Sequence, residues 1–313
     1  MPQTVGLALG SGGARGWAHI GVLRALEEAD IKIDYVAGTS IGAVVGAFYA
    51  IGELDALEEF VYPLDWKKIV SFLDVVFPRQ GLLDGDKVYS LLAEHLRERQ
   101  MEDTLTPFCC VSTNLTTRQA VCLDSGSMVD AVRASLSIPG IFTPAQREGS
   151  YLVDGGLVNP IPIDVVRNMG AEVVIAVDLN NSLSHSEAEQ NPDVISESKP
   201  DQEEYQPRQG QTEMFASVER AYRTVQGTVQ DKIDQWMPSD DPSPNIFDVI
   251  GNSINVIEQG LARSNMDLHP PDILIEVDLQ QIGIFDFHQA TPAVKAGYAQ
   301  MKGQLEELQQ LLS

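Results

Sequence analysis

The chain has 313 residues, enough for one large domain or two modest ones, and 43% of them are hydrophobic, which suffices for a sizeable core. The formal net charge is -24, with 45 acidic residues against 21 Lys and Arg. Such a chain is repelled by nucleic-acid phosphates and anionic headgroups, so nucleic acid is excluded as a partner, and any lipid must be met by apolar contact or a local basic patch.

In chain order, Val5 to Leu9 is a short apolar run with strand character, ended by Gly10-Ser11-Gly12-Gly13. From Ala14 the period changes: Trp17, Ile20, Val22, Leu23 and Leu26 recur at helical spacing. Tyr35 to Ala37 forms a second strand that enters Gly38-Thr39-Ser40-Ile41-Gly42, and Ala43 to Ile51 reads as a buried helix. Two strand–glycine turn–helix units argue for an α/β fold, a central, mostly parallel sheet flanked by helices. Ile69 to Phe77 is very apolar and is read as core, or as part of an apolar pocket or membrane-touching lip. Asp86 to Glu98 reads as an amphipathic helix, and Phe108 to Thr113, Gln119 to Leu123 and Tyr151 to Val153 as strands. Glu172 to Leu179 is nearly all apolar, as a strand buried on both faces should be.

From Asn180 to Gln211 the chain turns polar, acidic and proline-punctuated, too poor in apolar residues to offset its ordering entropy, and a mobile insertion is expected there. Helical patterns resume at Phe215 to Met237 and Ile246 to Met266; Asp272 to Leu279 reads as a strand and Thr291 to Leu312 as a final helix. Three parts are therefore expected. A core spans 1–180, an acidic insertion continuing into a helical segment spans 181–244, and C-terminal helices and a strand over 245–313 complete the domain.

Cys109, Cys110 and Cys122 suggest no disulfide framework and no metal-ligand spacing, and the five histidines contain no H-x-x-x-H pair, so neither a metal nor a cofactor is expected. The N-terminus lacks a signal-peptide pattern, and no run approaches the ~18 apolar residues of a membrane span, so a cytoplasmic protein is expected, at most peripheral at a membrane.

Gly38-Thr39-Ser40-Ile41-Gly42 matches G-x-S-x-G, in which a serine sits on a strained strand-to-helix turn with its hydroxyl exposed. The Gly10 to Gly16 loop admits two readings. A dinucleotide fingerprint starting at Gly10 needs glycine at position 15, which is Arg15, and no Gly-Lys-Ser/Thr follows for a P-loop. The favoured reading is an oxyanion hole in which the amides of Gly12, Gly13 and Ala14 face a tetrahedral intermediate. Arg15 ties down this loop, meets a phosphate or makes a structural salt bridge. His19 falls at a packed helical position, so it is not the base that Ser40 needs. Asp154-Gly155-Gly156 follows a strand and reads as a turn as readily as a catalytic group.

Together these pieces resemble the patatin-like phospholipase family, in its bacterial branch akin to the esterase domain of neuropathy target esterase. The carrying residues are Gly12 to Gly16, Gly38 to Gly42 and Asp154-Gly155-Gly156, joined by Ser135 to Phe142 (S-x-x-x-P-x-x-F) and Leu157 to Pro162. Ser11 departs from the pattern, standing where many members have the first glycine of the loop, and its side chain is expected to point away from the substrate. The resemblance implies a patatin-like three-layer architecture and hydrolysis of lipid acyl esters by Ser40 and Asp154 alone, without histidine or metal. It implies a lipid or acyl-ester substrate and transient membrane-surface contact. The alternative is a catalytically silent relative acting as a regulatory or scaffold protein.

Overall fold

Val5–Leu9 (β1) lies in the middle of an eight-stranded sheet, in a computed structural model that describes residues 3–71, 83–180 and 246–313. The other strands are Tyr35–Thr39 (β2), Phe108–Asn114 (β3), Gln119–Leu123 (β4), Ala145–Arg147 (β5), Ser150–Asp154 (β6), Val173–Asp178 (β7) and Ile273–Glu276 (β8). Their order is β5-β6-β3-β2-β1-β7-β8, with β4 also pairing β3. β3, β2, β1, β7 and β8 are parallel neighbours, whereas β4, β5 and β6 form an antiparallel margin.

The helices are Ala18–Glu28 (α1), Ile41–Ala50 (α2), Leu54–Val61 (α3), Trp66–Ser71 (α4), Asp86–Leu96 (α5), Met128–Ser135 (α6), Ile163–Met169 (α7), Ile246–Leu268 (α8) and Ala290–Leu312 (α9). Strand side chains alternate between faces, and both faces are covered. Leu7, Leu9, Val36, Cys110, Ile175 and Val177 join a core with residues of α1, α2, α3, α5, α6 and α9. Ala8, Ala37, Cys109, Val111, Val174 and Ala176 join a second core with α7 and α8. This double burial explains why β1 and β7 read as continuous apolar runs, and it gives the α/β, three-layer arrangement.

Several expectations change in detail. The first helix starts later than its periodicity suggests, because Gly13–Trp17 forms a 3-10 turn before α1. The pattern missed α3, α4, α6 and α7, each of eight residues or fewer and so at most about two turns long. Cys109 and Cys122 form a disulfide, while Cys110 is buried and free. Cysteine spacing held no sign of this bond, because it depends on the pairing of β3 with β4. Most of Ile69 to Phe77, the Phe215 to Met237 helix and the 181–244 insertion lie outside the described residues. No helix among the described residues is long and apolar enough to cross a membrane.

The chain leaves β1 towards β2 and β3 on one side, and later adds β7 and β8 on the other. The loops at the carboxyl ends of β1, β2 and β7 therefore converge at the point where the strand order reverses, the usual crevice of such sheets. Ile175, wholly buried in β7, gives a test of this core. Ile175→Ala should lose about 2–5 kcal/mol of stability in urea unfolding, and a loss below ~1 kcal/mol would place the residue outside a packed centre.

Candidate active site

Ser40 stands between β2 and α2 with φ 57° and ψ -123°, a conformation that L-residues rarely adopt and that costs on the order of 1–3 kcal/mol. Its surroundings hold it there. The Ser40 amide donates to Ser135 Oγ at 2.9 Å, and Ser135 Oγ–H donates to the Val111 carbonyl at 2.6 Å. Thr39 Oγ1–H donates to the Asn159 carbonyl at 2.9 Å. A Cβ on Gly42 would lie 2.2 Å from the Leu9 carbonyl oxygen, so only glycine lets the first turn of α2 rest on the end of β1.

Strand register brings Asp154 to this elbow from far along the chain. Thr39 pairs with Val111 and Asp154 with the next residue, Ser112, while β4 pairs both along the opposite edge of β3, so β2 and β6 meet end to end and Ser40 leaves β2 where Asp154 ends β6. The two side chains converge over β3: Ser40 Oγ–H donates to Asp154 Oδ2 at 2.5 Å. Asp154 Oδ1 accepts from the Gly156 amide at 2.8 Å, its own amide donates to the Ser137 carbonyl at 2.9 Å, and its carbonyl accepts from Thr113 Oγ1 at 2.8 Å. Both residues are at least 96% buried. Burial pushes the Asp154 carboxyl up to about 6, against the opposing pull of the Ser40 and Gly156 hydrogen bonds.

The loop after β1 lies beside this pair. Gly12 and Gly13 both take positive φ, 153° and 58°, and their amides have no protein acceptor among the described residues. Ala14 corrects the expected set of three donors, because its amide already donates to the Ile284 carbonyl at 2.8 Å. Arg15 ties down the loop: it is buried, its Nε–H donates to the Ile282 carbonyl at 2.8 Å, and burial lowers its pKa against the attraction of Asp286. The Ser11 amide donates to the Pro160 carbonyl at 2.9 Å, so Asn159 and Pro160 brace both the elbow strand and this loop. His19 is wholly buried with Nε2 against the Gly10 carbonyl at 2.8 Å, and burial depresses it to about 4; it packs under the loop and does not touch Ser40.

A strained serine paired with a buried aspartate, beside free main-chain donors, suits acyl transfer. The patatin-like phospholipase family model matches residues 7–167, which hold all three features. An uncharacterised NTE family protein of Mycobacterium bovis is 30% identical over 94% of this chain and 89% of the relative. The chain belongs to the patatin-like phospholipase family. The mouse patatin-like phospholipase domain-containing protein 6 is 37% identical over 57% of this chain, a match that covers 14% of that relative. The fold is also that of VipD from Legionella pneumophila, with a TM-score of 0.50 and 14% identity over 98% of this chain and 67% of that one. Members of the patatin-like phospholipase family are in general lipid acyl hydrolases.

One residue of this patatin-like site escaped the sequence reading. Glu258 on α8 lies outside the family match and is 6% exposed, yet it reaches the loop through Ser11. Its signal was available: Asn255, Glu258 and Ala262 share a buried face of α8, where a carboxylate needs a partner. Ser135 appeared in sequence only as part of a longer motif. Ser135→Ala leaves the Ser40 amide and the Val111 carbonyl without their buried partner, so stability should fall by about 1–3 kcal/mol in denaturant melts. Unaltered stability would show that this hydroxyl does not hold the elbow.

Proposed function

We propose that the protein is a serine acyl-ester hydrolase of lipase, phospholipase A or lysophospholipase type, releasing fatty acid through a Ser40–Asp154 dyad. The observation that carries this reading is the 2.5 Å contact between the two side chains, both of them buried. An aspartate in water, with a pKa near ~4, is a poor base, and burial is what raises its proton affinity towards neutrality.

The reaction runs in two halves. Ser40 Oγ attacks the acyl carbonyl carbon as its proton passes to Asp154 Oδ2, and the carbonyl oxygen becomes an oxyanion held by the Gly12 and Gly13 amides. The intermediate collapses: the ester C–O bond breaks, the leaving oxygen takes the proton from Asp154, and an acyl-enzyme remains on Ser40. A water then attacks the acyl carbon while Asp154 takes its proton. Collapse of the second intermediate returns that proton to Ser40 Oγ and frees the fatty acid. Each half needs the oxyanion donors, and losing one such donor typically costs about 10²–10³ in kcat. The substrate is a lipid or another acyl ester, and any contact with a membrane surface is transient, since the chain's charge disfavours tight hold of anionic headgroups.

An active-site-directed fluorophosphonate should label the wild-type protein and not Ser40→Ala. A folded wild-type protein that resists labelling would contradict the reading. Asp154→Asn should fold normally and lose about 10²–10⁴ in kcat on a short-chain ester, and near-normal turnover would assign the base to another group. Because Asp154 must be ionised to accept the proton, kcat/KM should rise as pH passes upward through about 6 and be lost below it. A flat profile between pH 5 and 7 would speak against a carboxylate base.

A further inference from the structure

Glu258 is a buried carboxyl that no step above uses. Its Oε2 accepts from Ser11 Oγ at 2.8 Å and from Asn180 Nδ2 at 3.1 Å. Its Oε1 fills the space where a side chain on residue 156 would begin: a Cβ on Gly156 would lie 2.0 Å from Oε1 and 3.2 Å from Asp154 Oδ1. One carboxyl from α8 thus joins three separate segments, the loop after β1, the end of β7 and the turn after β6. The Ser11 departure from the family pattern acquires a role here, because its hydroxyl is the link between that loop and Glu258.

We propose that Glu258 is a positioning residue of the hydrolytic site, locking Ser11 of the oxyanion loop and Asn180 to the Asp154-Gly155-Gly156 turn. This rests on the hydrolase reading. Fixing Ser11 fixes the direction of the neighbouring Gly12 and Gly13 amides, and closing the space beside Gly156 fixes the amide that binds Asp154 Oδ1. Both the oxyanion donors and the base are thereby held by the same side chain.

The charge state of Glu258 matters to this role. The acidic groups facing it are Asp154 from β6 and Asp178 from β7, the latter under the influence of Arg263 on α8 itself; Ser11 and Asn180 do not titrate. Burial first, and then the Asp154 charge, pushes Glu258 up to about 8. The two carboxyls lose their protons in two steps that belong to the pair. Between the steps the pair carries one negative charge, and the hydrolytic cycle uses the form in which Asp154 is the ionised base and Glu258 a neutral clamp. Above about 8 Glu258 becomes a second anion beside the base and near the forming oxyanion, which opposes the negative charge of the transition state. Activity therefore falls on the alkaline side.

The test is kcat and KM of the full-length wild type, Glu258→Gln and Glu258→Ala on a short-chain 4-nitrophenyl ester between pH 5 and 10, with Ser40→Ala as the blank. Glu258→Ala should lower kcat about tenfold to a hundredfold, through misplacement of the reacting groups, with a smaller change in KM. Glu258→Gln should recover most of that loss, and its alkaline limb should move to higher pH than that of the wild type. Should the alanine variant fail to fold, the alkaline limb of the glutamine variant decides alone, because a merely structural role does not move it. An alkaline limb that overlays the wild type overturns the role of Glu258 while Ser40-dependent turnover leaves the hydrolase reading standing. A wild type without Ser40-dependent turnover overturns both.

Discussion

Water is the competitor that this site must exclude. In bulk solution a carboxylate gains more from its hydration than from a serine proton, so the hydrogen bond between Ser40 and Asp154 is useful only where solvent is absent. The rest of the structure serves that condition. Both side chains are buried, and the loop after β1, the Asn159-Pro160 segment and α8 are held to one another by hydrogen bonds.

The sheet supplies the geometry. β2 and β6 pair successive residues along one edge of β3, with β4 along the other, so a one-residue slip of either strand would turn Ser40 or Asp154 to the opposite face and separate them. The buried alternation of β3, with Cys110 on one core and Cys109 and Val111 on the other, makes such a slip costly. Strain at Ser40 is similarly secured by packing, through Ser135 from α6 and the close approach of Gly42 to β1. Fold stability and site geometry therefore depend on the same contacts.

Much of this was legible in the residues. Apolar runs such as VGLAL and VVIAVD announced the central strands, and three glycine-rich motifs named Ser40, Asp154 and the loop between Gly10 and Gly16. Less visible was anything set by pairing between distant segments. The Ala14 amide looked free until Ile284, 270 residues away, claimed it, and the Cys109–Cys122 bond depends on a hairpin register. Glu258 was hidden for the same reason: its helix pattern marks it as buried, but only the folded chain supplies Ser11, Asn180 and Gly156 as its neighbours.

The most direct measurement is a crystal structure of the protein after reaction with a fluorophosphonate. Phosphorus should be bonded to Ser40 Oγ, with its phosphoryl oxygen about 3 Å from the Gly12 and Gly13 amides and the Asp154 carboxyl next to the bonded oxygen. Phosphorus on a different side chain, or a phosphoryl oxygen turned away from that loop, would contradict the dyad.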